Sequence, residues 1–268
     1  IYLNLANKHG LTTIAHSHST SSGKGLPALA KNILQLPIRN IADYLFACSK
    51  NAGEWLYGKK ACKSEKFFLL NNAIEVEKFL FNEDTRIQKR KELTIEDKFV
   101  VGHIGRFNTV KNHSFLIDIF REVHKENNNS VLLLVGDGEL RSKMEQKVMD
   151  LGLSDNVLFT GLRTDVSELL QAMDVFVFPS LYEGLPVTLI EAQASGVNCI
   201  ISDTISKEVK ISNKIQFCSL KNPPEYWAKM ILNNIDRSTE NIYEEVSNAG
   251  YNVKNNARWL EDFYLSNI

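Results

Sequence analysis

From Phe99 onward, apolar and polar positions fall into alternating blocks. Phe99–Ile104 is a short β-rich run, and Lys111–Glu126 has helical spacing. Val131–Val135 is apolar throughout; Gly136-Asp137-Gly138 then reads as a tight turn opening a charged helix to Asp150. Val157–Thr160 predicts a strand, Val166–Met173 a helix, Asp174–Phe178 a strand and Pro186–Ser195 a helix. Asn198–Ser202 and Ile215–Phe217 predict further strands, and Pro224–Asn234, Thr239–Ala249 and Val253–Leu265 predict helices. Short strands that are apolar at every position are buried on both faces, which means a parallel sheet covered by helices. Such sheets are doubly wound and carry ligands at the C-terminal ends of their strands.

Before residue 98 the pattern is thinner. Leu11–His16, Tyr44–Cys48 and Lys66–Leu70 read as strands, and Leu26–Ile38 as one amphipathic helix broken up by Lys24, Lys31 and Arg39. The expectation is a second α/β domain over 1–97, a linker at Glu83–Lys98, a main domain over 98–250, and a last helix, 251–268, returning to the first domain. The chain begins at Ile1 in what reads as mid-element, so an N-terminal part is expected to be missing.

With 268 residues, 31 basic and 32 acidic side chains and 44% hydrophobic content, the chain has an ordinary globular balance with room for two cores. Near-neutral charge argues against a nucleic-acid-coating protein. No apolar stretch long enough to cross a bilayer is present. Cys48, Cys62, Cys199 and Cys218 show no C-x-x-C spacing, which fits buried thiols of a cytoplasmic protein. No ligand cluster suggests a metal.

The chemistry concentrates in Phe178-Pro179-Ser180-Leu181-Tyr182-Glu183-Gly184-Leu185-Pro186-Val187-Thr188-Leu189-Ile190-Glu191-Ala192. A strand runs into a turn and then a helix; Glu183 falls in the turn and Glu191 about a turn and a half into the helix. A helix start offers unpaired N–H groups and a positive dipole end, and phosphate is its usual guest. An acid just inside can reach a pair of ribose hydroxyls. The layout reads as a nucleotide-diphosphate site between two carboxylates that face sugar hydroxyls.

Taken with Phe178-Pro179-Ser180 before it and Glu191, Ala192, Ala194 and Gly196 after it, this segment resembles the E-x7-E motif of retaining GT-B glycosyltransferases of the GT4 family. Three further runs resemble that family's C-terminal domain in the same order: His103-Ile104-Gly105-Arg106-Phe107-Asn108 with Lys111-Asn112-His113, then Val135-Gly136-Asp137-Gly138-Glu139-Leu140, then Phe159-Thr160-Gly161. The run Ile201–Val209 looks most like enzymes of capsule and exopolysaccharide assembly. The resemblance covers most of 99–220 and implies a GT-B fold of two Rossmann-like parallel-sheet domains, with the first strands and Gly-rich loop of the N-terminal one absent.

The resemblance implies that Arg106 and Lys111 bind the diphosphate. Two fixed cations there stabilise charge that grows as the glycosidic bond breaks. It also implies that Glu183 contacts the transferred sugar, that Glu191 grips the ribose, and that Gly161-Leu162-Arg163 lies near a uracil-type base. Arg163 reads equally as a free surface charge. Gly105, Gly184, Leu185, Val187 and Thr188 would supply backbone N–H groups or close approach, and Pro186 departs from the family's small residue. His18 is the histidine expected on the acceptor side, with His16 on the same strand face and the choice between them open. His103, inside a strand, reads as structural.

The activity so implied is transfer of a hexose from a UDP-sugar to a lipid-linked or saccharide acceptor, with retention, without cofactor or metal, at the inner face of the cell membrane. A non-catalytic nucleotide-sugar-binding module and a GT-B UDP-sugar epimerase are the alternatives. The basic, apolar Leu26–Arg39 segment is a candidate for peripheral membrane contact.

Overall fold

The computed structural model of the chain describes residues 2–20, 25–234 and 241–267. Lys24, expected with the amphipathic helix, and Thr239 and Glu240 of an expected helix, lie outside the described residues. The chain divides into two compact units, Ile1–Ala73 with Gly250–Ile268, and Ile74–Ala249.

In the first unit, α1 (Tyr2–Lys8) leads to β1 (Ile14–Ser17), α2 (Leu26–Gln35) and α3 (Ile38–Ile41) to β2 (Tyr44–Ala47), and α4 (Lys50–Tyr57) to β3 (Phe67–Leu69). The strands form a parallel sheet in the order β1-β2-β3. The segment expected as one helix from Leu26 to Ile38 is two. Pro37 has no N–H to continue the first, and the Leu36 N–H turns back to the Ile33 carbonyl at 3.2 Å. Ser49 caps α4 by accepting from the Ala52 N–H at 3.1 Å. The Tyr57 hydroxyl ties α4 to the sheet, bonding the carbonyls of Ala15 (2.8 Å) and Phe46 (2.9 Å).

The second unit opens with α5 (Val76–Phe79) and α6 (Glu83–Glu92). It continues as β4 (Phe99–Ile104), α7 (His113–Glu126), β5 (Ser130–Val135), α8 (Arg141–Asp150), β6 (Val157–Phe159), α9 (Val166–Ala172) and β7 (Val175–Phe178). It ends with α10 (Val187–Ala194), β8 (Asn198–Ser202), β9 (Ile215–Cys218), α11 (Pro224–Leu232) and α12 (Tyr243–Asn248). All six strands are parallel, in the order β6-β5-β4-β7-β8-β9. The chain winds outward from β4 in one direction, then returns to β7 and winds outward in the other. The strand order therefore reverses between β4 and β7, and at such a switch point the following loops diverge and leave a crevice. The core is the apolar face of α7 (Leu116, Ile117, Phe120, Val123) and of α11 (Trp227, Ala228, Ile231) against the strand interiors. Each fully buried Leu, Ile or Phe contributes about 1.5–3 kcal/mol.

The last helix, α13 (Val253–Asn267), groups with the first unit. It sets Phe263 against Phe46 (ring centroids 5.2 Å apart) and Trp259 against Phe68 (5.5 Å).

The boundary between the units, at residues 73 and 74, precedes the expected one at 97 and 98. The stretch expected as a linker is helix α6. Asn82 caps it by accepting from the Thr85 N–H at 2.8 Å, with acids in its first turn and bases in its last. It is bound to the second unit by charge. Lys89, nearly buried, reaches Asp165 (2.7 Å) and Glu168 (2.8 Å) on and beside α9. Asp174 receives Arg86, Arg90 (3.2 Å) and the Val100 N–H (2.7 Å).

All four cysteines are free thiols, three of them buried.

Candidate active site

At the strand-order reversal the two loops that leave β4 and β7 run side by side. They are stitched together: the Leu181 N–H donates to the Val110 carbonyl (2.8 Å), and the Asn112 side-chain amide donates to the Pro179 carbonyl (3.1 Å). Asn112 holds a left-handed backbone (φ 57°) that ends the first loop and starts α7. Asn108 accepts from the Lys111 N–H at 3.1 Å. This bracing brings the Lys111 ammonium to 2.7 Å from the Glu183 carboxylate, with 16% and 20% of the two side chains exposed. The ammonium also lies over the Phe178 ring, 4.4 Å from its centroid.

Below Lys111 sits a buried aromatic layer. His113 stacks on Phe107 (4.0 Å) and meets His103 edge-on (4.8 Å). The His103 ring bonds the Val177 carbonyl through Nδ1 (2.8 Å). Its Nε2 and both ring nitrogens of His113 are buried without a partner among the described residues. Burial first, and then the Lys111 charge, hold His113 down to about 4. Burial and then His113 push His103 well below its ordinary value, against the pull of its Val177 bond. Glu183 is the ion-pair partner of Lys111 among the described residues.

Helix α10 starts behind Pro186, which takes the capping position just before the first helical residue. The N–H groups of Val187 and Thr188 fall in the first turn, where a helix has no acceptors of its own. Glu191 is half-buried, and burial raises its carboxyl above the ordinary value. Among the described residues no hydrogen bond or ion pair to that carboxylate occurs. A half-buried, unpaired carboxylate with a raised pKa, one to two turns into a helix, is a functional-site candidate. Gly184 and Leu185 lie in the loop between Glu183 and the helix.

A cavity of about 510 Å³ opens at the ends of β4, β5 and β6. Gly105, Arg106, Leu162 and Arg163 line it, as does the Gly136–Gly138 turn. Lys111, Glu183 and Glu191 are not in its lining, and Gly105 joins the two regions. A Cβ on Gly105 would stand 2.9 Å from His103 Nε2 and 3.2 Å from the Lys111 stem. Gly136 (φ 133°) passes so close to Gly105 that a Cβ there would run into the Gly105 carbonyl oxygen. Backbone therefore meets backbone at this joint. The Gly136–Gly138 turn, read from the sequence only as a helix opening, is part of the cavity wall; its G-x-G spacing was the signal for that role.

Arg106 is exposed (71% of its side chain) and pairs loosely with Glu139 at 3.3 Å, so it is free to turn over the crevice. Leu162 is exposed on the cavity rim, and the Gly161 carbonyl accepts from the Gly136 N–H at 2.8 Å. Arg163 is not a free surface charge: it forks onto Asp165 (2.7 and 2.6 Å) and reaches Glu92 of α6 (3.0 Å). Arg163 first, then Lys89, hold the Asp165 carboxyl far below its usual range. His18 belongs to the first unit, just after β1, with its ring 4.0 Å from that of His16. Although His16 is partly exposed, desolvation of its ring and then His18 lower it to about 4, with the Leu70 backbone acting in the opposite sense.

Similarity to known proteins identifies the family. A family model, glycosyl transferases group 1, matches residues 84–253. A putative glycosyltransferase of Bacillus subtilis, EpsF, is 36% identical over 94% of this chain and 67% of its own length. An Escherichia coli enzyme, UDP-Gal:alpha-D-GlcNAc-diphosphoundecaprenol alpha-1,3-galactosyltransferase, is 25% identical over 95% of this chain and 76% of its own length. In structure, Anabaena Alr3699/HepE, crystallised with UDP and glucose, superposes with a TM-score of 0.78 over 98% of this chain and 73% of its own, at 18% identity. That likeness shows the fold, the two-domain α/β arrangement of GT-B glycosyltransferases. By its family match and its relatives, this chain is a glycosyltransferase, and it belongs to the glycosyl transferases group 1 family.

Proposed function

We propose that this protein is a retaining glycosyltransferase. It moves a hexose from a UDP-sugar to a lipid-linked or saccharide acceptor in the synthesis of a cell-surface polysaccharide. The observation that carries the reading is the ion pair of Lys111 with Glu183 at the strand-order reversal, with the start of α10 and Glu191 beside it. Lys111 has three N–H donors and gives one to Glu183, leaving two for diphosphate oxygens. Arg106 can close over the same group from the rim. As the bond to the sugar breaks, charge builds on the diphosphate, and these cations with the free N–H groups of Val187 and Thr188 stabilise the build-up. No metal is needed in this scheme.

Glu191, reaching out of α10, accepts the ribose hydroxyls. The cavity at Gly105, Gly136–Gly138 and Leu162 has the size of a small-molecule subsite and takes the base. Glu183 accepts from hydroxyls of the transferred sugar, and His18, or His16, serves the acceptor side. The names of two similar proteins support the donor and acceptor classes: the Escherichia coli relative uses UDP-Gal and a diphosphoundecaprenol-linked sugar, and HepE was crystallised with UDP.

The test is calorimetric binding of UDP, GDP and ADP, followed by transfer from the matching labelled sugar donors to extracted lipid-linked acceptors, with and without a chelator. Uridine preference and chelator-resistant transfer with retained anomeric configuration are expected. Inversion, strict metal dependence, or no affinity for any nucleoside diphosphate would refute the reading.

Among the described residues no helix is long and apolar enough to cross a membrane. We place the enzyme at the inner face of the cell membrane through α2, which exposes Leu26, Leu29, Ile33 and Leu34 around Lys31. Protein remaining in the bottom fraction when floated with anionic vesicles would remove that placement.

A further inference from the structure

We propose that Glu183 lets this site distinguish an intact nucleotide sugar from the bare nucleoside diphosphate left after transfer, by competing with the diphosphate for Lys111. The inference rests on the donor-site reading above and extends it to product release.

The Lys111–Glu183 contact, at 2.7 Å, is built into the fold. Leu181 bonded to Val110, and Asn112 bonded to Pro179, keep the two loops from separating. Phe178 lies beneath the ammonium, and the neighbouring imidazoles of His103 and His113 are neutral. Any phosphate oxygen that reaches Lys111 therefore arrives beside a carboxylate. Both side chains are mostly buried, so that repulsion is screened less than at an open surface.

What the carboxylate receives in return depends on the ligand. A diphosphate that still carries its sugar brings hydroxyls, and these donate to Glu183 and offset the repulsion. After transfer those hydroxyls have gone with the product, and the N–H groups of Lys111 are again the carboxylate's donors. The bare diphosphate then competes directly with Glu183 for one ammonium. One carboxylate thus favours donor over product, which limits product inhibition and speeds release. Coupling of this kind is reciprocal: the sugar hydroxyls and the diphosphate each raise the other's affinity through the same pair.

The experiment is titration calorimetry of UDP, GDP and ADP, and of the matching nucleotide sugars, with wild type, Glu183→Gln and Glu183→Ala. Thermal unfolding checks that each variant folds. The diphosphate bound by wild type should bind Glu183→Gln at least about five-fold more tightly, the lower end of ordinary coupling between sites. The nucleotide sugar should not tighten. If Glu183→Gln does not fold, Glu183→Ala is expected to act in the same direction and decides the matter. Unchanged or weaker diphosphate binding in a folded variant overturns the proposal while leaving the donor-site reading intact. Failure of wild type to bind any of the three diphosphates overturns both.

Discussion

Glu191→Gln should make the protein more stable and a poorer binder of nucleotide at the same time. The substitution keeps the shape of a half-buried side chain on α10 and removes its charge. The carboxylate has no protein partner among the described residues, and burial raises its pKa. Leaving such a group without a hydrogen bond costs about 1–3 kcal/mol. Because the carboxylate is only partly buried, the lower end applies, and relief of about 1 kcal/mol corresponds to a rise of about 2–4 °C in Tm for a domain of this size. The sign follows from linkage. The folded state holds the Glu191 proton more tightly than the unfolded chain does, so the wild type loses stability as pH rises through the raised folded value. The variant's advantage should be absent below the ordinary value of 4.5 and complete well above it. Binding should move the other way. Replacing a charged acceptor of ribose hydroxyls forfeits about 1.5–3 kcal/mol, or about 10- to 100-fold in Kd for UDP. Scanning fluorimetry from about pH 3.5 to 8 and calorimetry with UDP read both arms. A Tm that falls would show that Glu191 has a structural partner, and one that rises equally at every pH would show that its buried charge is not what costs stability; unchanged UDP affinity would remove it from the ribose.

Two further outcomes are expected. Asp174→Asn leaves the guanidiniums of Arg86 and Arg90, 16% and 9% exposed, without their counterion, and should lower stability by about 3–5 kcal/mol in urea unfolding. A loss under about 1 kcal/mol would mean that α6 is held by its other contacts. Lys111→Ala should lower kcat about 100-fold or more while changing donor KM little, because the charge it meets is larger in the transition state than in the bound donor. Equal effects on both constants in steady-state kinetics would make Lys111 a simple binding residue.

Helix α6 shows where reading the chain alone goes astray. Its start and stop signals are in plain view: Asn82 before Glu83 and Asp84, then Lys89, Arg90 and Lys91 at the end. Apolar periodicity does not reveal it, because the helix is docked by buried ion pairs and not by an apolar stripe. Lys89 and Arg90, which look like solvated charges in the sequence, are nearly buried against Asp165 and Asp174. Arg163 misleads in the same way. Its fork onto Asp165 is local, but its further partner, Glu92, reaches it only because the chain folds α6 back.

Local chemistry along the chain was enough to settle the parallel, helix-covered sheet of the second unit. Strands such as Val131–Val135 are apolar at every position, and that pattern is stable only when both faces are buried. The strand–turn–helix unit holding Glu183 and Glu191 was legible for the same reason, since its parts are adjacent in sequence. Tertiary structure alone decided that β4 and β7 lie side by side and that the strand order reverses between them. No local preference encodes which strand a crossover returns to, because that choice is made by the packing of whole helices on the sheet. The meeting of Lys111 with Glu183, and the unpaired state of Glu191, follow from that choice.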